Sequence, residues 1–303
     1  VLAGLSGDPR ATLAPGLTTA GEAISNLRKI ASLPKPAGFF DPANPGQLSP
    51  AKPPKKGEKP RKPKKGAPPP KPQFAERSPL LDFANTDMAF AGDVMVAGSY
   101  HGFNAYRLGT DGVPQLISST VCPGGQGDVS IVGSLLVMSV EEPRGRVDCG
   151  LQGVSQKVSP DRFRGLRIFD ISDLARPRQV GQVQTCRGSH THSVVDADRN
   201  RIVVYNSGTS FVRKPEELAG CYGTSGDETA LFSIDVVEIP VANPAAARIV
   251  DRPRVFAAAN QIAGLWRGGD HGDGTQNTSV TDQCHDITVF PAKPIAAGPC
   301  SGT

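Results

Sequence analysis

Five histidines and six cysteines carry most of the chemistry that this 303-residue chain could perform. His190 and His192 stand two apart in His190-Thr191-His192-Ser193, and His285 stands between Cys284 and Asp286. Neutral imidazoles that converge on one axis can share a transition metal ion. His192 and His285, with His190 able to turn inward beside them, are therefore candidate metal ligands. The competing reading gives the same histidines a structural task, hydrogen-bonding loop backbone and steadying the strands they precede.

The cysteines point elsewhere. Cys122, Cys149, Cys186, Cys221, Cys284 and Cys300 include no C-x-x-C pair, so neither a zinc knuckle nor a thioredoxin-like motif is supported. Six cysteines without such spacing suit disulfides in an oxidising compartment, and so an exported chain. Cys122 and Cys186 follow equivalent strands, Cys149 and Cys221 lie inside long loops, and Cys284 and Cys300 flank a hairpin they could bridge. Sequence alone does not choose among the pairings. No catalytic residue emerges. Gly124-Gly125-Gln126-Gly127 precedes a strand rather than a helix, Asp270-His271-Gly272-Asp273-Gly274 lacks the calcium-loop spacing, and Ser189 sits in no nucleophile elbow.

The elements that must position these residues are strands. Asp128-Val129-Ser130-Ile131-Val132 turns at Gly133-Ser134 into Leu135-Leu136-Val137-Met138-Ser139-Val140. Gly165 to Ile171 and Arg178 to Val183 complete a four-stranded unit. A like unit precedes it, another follows, and a fourth begins at Asp286. Asp87 to Asp128 is 41 residues, within the roughly 40–45 of one propeller blade. The expected fold is all-β, a β-propeller of four-stranded blades. About three and a half blades are expected, part of a roughly seven-bladed ring.

Gly165-Leu166-Arg167-Ile168-Phe169-Asp170-Ile171-Ser172-Asp173 with Pro177 resembles the LVIVD-repeat family of secreted and cell-surface bacterial propellers. Ser99 to Asn104, His190 to Ser193 and Cys284 to Ile287 share that resemblance. It implies an exported binding or interaction module, extracellular, periplasmic or at the bacterial surface. More distantly the chain is similar to the selenium-binding and methanethiol-oxidase propellers, which gather histidines around a metal at the channel mouth. That likeness implies the alternative, a metal-dependent oxidase acting on a small thiol.

Propeller topology places the loop entering strand one and the loop between strands two and three on the same face. Residues 141–164, 206–229 and 259–283 all fall there, with every histidine and cysteine. Function concentrates in such loops. His101, His271, Asp128 and Asp286 complete the expected ligand face, whose partner would be a protein, a cell-wall polymer or a small ligand.

The remaining organisation is simpler. Residues 1–27 read as a leader in which Thr19 and Glu22 could cap a short helix. Residues 28–40 read as a ring-closing strand, and 41–82 as a Pro/Lys-rich linker or insertion. The propeller region is 83–303, with blades near 83–122, 127–186, 190–256 and 284–303. Residues 51–72 hold eight Lys, one Arg and one Glu, a net +8 within a chain of formal charge +4, so the rest nets −4. The basic character belongs to the linker, which could touch anionic surfaces, and nucleic-acid binding by the folded part is not expected. No apolar run is long enough to span a bilayer as a helix.

Overall fold

The computed structural model describes residues 8–16, 19–39, 84–223, 229–255, 257–258, 261–262 and 283–299. The expected linker at 41–82, His271 and Cys300 lie outside them.

Three antiparallel meanders follow one another. Strands β1 (Asn85–Ala91), β2 (Val94–Ser99), β3 (Gly102–Leu108) and β4 (Pro114–Val121) pair in chain order. So do β5 (Val129–Val132), β6 (Leu135–Val140), β7 (Gly165–Asp170) and β8 (Arg178–Gln184). The third sheet holds β9 (Thr191–Ala197), β10 (Arg201–Ser207), β11 (Asp235–Pro240) and β12 (Arg248–Asp251). Two hairpins follow, β13 (Ala257–Ala258) with β14 (Gln261–Ile262), and β15 (Thr288–Phe290) with β16 (Ile295–Ala297).

The sheets pack face to face, and side-chain alternation makes that possible. In β6, Leu136 and Met138 enter a core shared with Val96, Phe103 and Ala105 of the first sheet. Leu135 and Val137 of the same strand enter a second core with Ile202, Val204, Val237 and Ile239 of the third. Every residue of β6 is buried. Each such aliphatic side chain contributes about 1.5–3 kcal/mol relative to leaving it in water. The first strands approach one another in succession, β1 to β5, β5 to β9 and β9 to β15. This is an all-β, propeller-like fold.

Smaller features repeat as well. The pairing of third with fourth strand skips one residue in each sheet, at Ile117, Val180 and Val250. Such a bulge raises the local twist. Gly102 and Gly165 open the equivalent strands β3 and β7 at φ +136° and +142°, and a Cβ there would overlap the carbonyl oxygens of Thr120 and Val183. Only glycine fits both.

Several expectations need correction. The capping-box helix at 19–27 does not form, and Pro9–Thr12 makes a short 3₁₀ turn instead, with Asp8 accepting from the Arg10 amide. Ile24 and Leu27 are 51% and 82% exposed, so a helix there would have nothing to bury against. Residues 28–39, expected as a ring-closing strand, join no ladder with the described strands. That segment lies against the first sheet, with Ile30 beside Gly112, Gly38 beside Val121 and Phe39 buried. The third strand of the third sheet starts at Asp235 rather than Leu231, because Phe232 turns the chain at φ +52°. The fourth repeat becomes regular only at Thr288, after Asp286 at φ +48°. Among the described residues no helix is long and apolar enough to cross a membrane.

Candidate functional site

The long loops leave the ends of β6 and β10, and each is fastened to the strand before its sheet. Cys122, just past β4, is bonded to Cys149 in the loop between β6 and β7. Cys186, just past β8, is bonded to Cys221 in the loop between β10 and β11. The two staples are equivalent: each ties the end of a fourth strand to the long loop of the next sheet. Cys284 is disulfide-bonded as well.

Polar contacts join the two loops to each other. Glu217, from the second loop, accepts from the Ser159 amide at 3.0 Å, from Arg213 Nε at 2.7 Å and from Arg162 Nη1. These side chains are almost wholly removed from solvent. Arg164 lies with them, its guanidinium 4.5 Å from the centre of the Phe211 ring, and Arg167 stacks on Phe163 at 4.1 Å. Burial, with Arg213 adding repulsion, brings Arg164 down to about 9, and burial brings Arg167 down to about 10. Sequence reasoning missed this group because arginine is ordinarily a surface residue. Its signal was present: Arg162 and Arg164 flank the apolar Phe163, and Glu217 follows Arg213 by four.

Above this base stand the histidines. His190 Nδ1 lies 2.7 Å from Glu141 Oε2, and the Thr209 hydroxyl donates to Oε1 of the same carboxylate. Burial works against a proton on His190, but Glu141 first, then Asp286 and Asp128, outweigh it and raise its pKa. The His285 ring sits 4.3 Å from that of His190, centre to centre. Gln126 Nε2 approaches His190 Nε2 at 3.3 Å.

His192 is held differently. Its Nδ1 is 2.8 Å from both Asp128 Oδ2 and Ser139 Oγ, while its backbone N–H donates to Asp128 at 2.9 Å. Ser139 in turn meets Ser189, oxygen to oxygen, at 2.7 Å. Burial alone would raise the Asp128 pKa, yet the hydrogen bonds from His192 bring it below the usual carboxylate value. The His192 side chain is 0% exposed and its Nε2 has no hydrogen-bond partner among the described residues.

This is not a nucleophilic triad. Serine and aspartate meet the same ring nitrogen here, whereas a triad needs them on opposite nitrogens. Nor do the described residues form a complete metal site. The Nδ1 atoms of His190, His192 and His285 each face a carboxylate, the last at 3.1 Å from Asp286, an arrangement in which Nε2 would be the nitrogen left to a metal. Among the described residues no three His, Cys, Asp or Glu side chains are grouped to hold an ion. The structure thus brings His190 and His285 together and encloses His192 inside β9, not ahead of it.

Two expected members of the ligand face are turned inward. His101 is buried beneath the edge of the Phe39 ring, 5.6 Å away, because the N-terminal segment covers it. Asp128 is committed to His192. Asp286 remains exposed and the His285 side chain is 42% exposed, so these two do reach the surface. Val147, Leu151, Val158, Phe211 and Tyr222 expose apolar surface from the two long loops.

No protein-family model matches the chain, and no curated protein does. The LVIVD resemblance therefore has no matching family model behind it. Among solved structures, the chain is similar to a protein from Lactobacillus plantarum, 12% identical with a TM-score of 0.31, over 68% of this chain and 61% of that one. It is also similar to AztD of Citrobacter koseri, 14% identical with a TM-score of 0.22, over 69% of each chain. The chain thus spans about three-fifths of the Lactobacillus protein's length. Sheet order and packing, rather than these likenesses, establish the fold.

Proposed function

We propose that the chain is an exported binding module that takes its partner on the loop-rich face. The observation that carries this reading is the pair of equivalent staples, which with Glu217 hold two long loops as one pre-shaped platform. A surface ordered before binding loses less entropy when a partner arrives. The exposed Leu151 and Phe211 supply apolar anchors, and His285 and Asp286 a polar rim. The disulfides fit an oxidising compartment. The alternative, a metal-dependent thiol oxidase, would need ligands beyond His190, His192 and His285, since no three candidate ligands are grouped among the described residues.

Site-specific photo-crosslinking in producing cells tests the reading. A crosslinker replacing Leu151 or Phe211 should yield one discrete adduct. The same group replacing Arg176, exposed in the β7–β8 turn on the opposite face, should yield none. Adducts that do not depend on the face would contradict the proposal.

A further inference from the structure

The three arginines beneath the loops are not equally satisfied. Arg162 uses every guanidinium nitrogen: Nε on the Pro143 carbonyl at 2.8 Å, Nη1 on the Lys157 carbonyl at 3.1 Å and on Glu217, Nη2 on the Gln156 carbonyl. Arg213 does likewise, with Glu217, Gln184 and the Arg162 carbonyl. Arg164 engages only Nη1, which donates to Ser210 Oγ at 2.7 Å and to the Phe211 carbonyl at 3.1 Å. Its Nε and Nη2 are fully buried and have no hydrogen-bond partner among the described residues.

Those two nitrogens share one edge of the guanidinium plane. That edge meets a carboxylate or phosphate with two parallel hydrogen bonds. Charge favours the same occupant. Among the described residues Arg162, Arg164 and Arg213 are gathered around the carboxylate of Glu217, and Glu141 is the other acid whose field reaches Arg164. Guanidinium keeps its proton, and a buried cation without a counterion is costly.

We propose that the buried, unpartnered edge of Arg164 binds a small oxyanion, a carboxylate or a tetrahedral phosphate-like group, between the two stapled loops. Arg164 immediately precedes β7, while Ser210 and Phe211 belong to the loop after β10, so the anion joins the second sheet to the loop of the third. Phe211, 49% exposed, covers the guanidinium's flat face. The site does not require that the loop-rich face take a partner.

Calorimetric titration of the full chain at constant ionic strength, with sodium phosphate, sulfate and acetate as separate probes, tests this. Wild type should bind at least one probe saturably, one anion per chain, and its unfolding temperature should rise with that occupancy. Arg164→Lys keeps the charge but lacks the edge, and should weaken binding by about tenfold or more. Arg164→Met should abolish it. Preference for acetate would identify a carboxylate ligand, and preference for phosphate or sulfate a tetrahedral one. No saturable binding of any probe by wild type overturns the proposal, as does unaltered binding by Arg164→Lys or Arg164→Met. Should Arg164→Met fail to fold, the wild-type titration and Arg164→Lys decide.

Discussion

A proton on His190 is held between Glu141 and the rings and carboxylates around it. Burial opposes that proton, but the acids win and the folded pKa rises above the ordinary value of 6.5. The stabilisation from this pair is therefore fully present below about pH 6.5 and is lost as pH rises through the raised folded value. Glu141→Gln should move the His190 titration midpoint down, read from the imidazole proton shifts by NMR, and an unmoved midpoint would refute the pairing. Glu217 matters more for stability. Glu217→Gln leaves Arg162 and Arg213 buried without their carboxylate, and should cost about 3–5 kcal/mol in denaturant unfolding. A loss under about 1 kcal/mol would show that solvent reaches the cluster. At this scale sequence reading went part of the way. The spacing of His190 and His192 marked the right end of the sheet. It could not show that Asp128 and Ser139 would enclose His192, because that depends on neighbours dozens of residues away.

Strands and turns were far more legible. Short β-branched runs bounded by Gly, Pro, Asp and Ser marked nearly every strand of the three sheets, because half-buried pleated surfaces demand that pattern. The late starts of the third strand of the third sheet and of the fourth repeat have local causes, positive φ at Phe232 and Asp286. Gly165→Ala should destabilise the protein by about 1–3 kcal/mol through backbone strain alone, with the overlap against Val183 adding to it. Thermal unfolding reads the loss. The staples close spans of 27 and 35 residues. On chain entropy each is worth about 3–4 kcal/mol. Cys186→Ser with Cys221→Ser should lower stability by that order. Hydrogen-exchange protection should fall mainly in the loop between β10 and β11, and a uniform fall across all sheets would show that the staple does not act locally.

The described sheets follow one another, and the second is covered on both faces by its neighbours. The repeat near 41 residues predicted that arrangement, since a lone meander cannot bury its apolar faces. The pairing of cysteines was not predictable, because it is set by how neighbouring sheets bring strand ends and loops together. Equivalent staples, with Glu217 between the loops, fix two loops as one platform on one face. Peptide mapping of the unreduced protein by mass spectrometry tests it most directly. Cys122 should be found linked to Cys149, and Cys186 to Cys221. A link between Cys149 and Cys221, or free thiols at these four positions, would contradict the platform and the binding function argued from it.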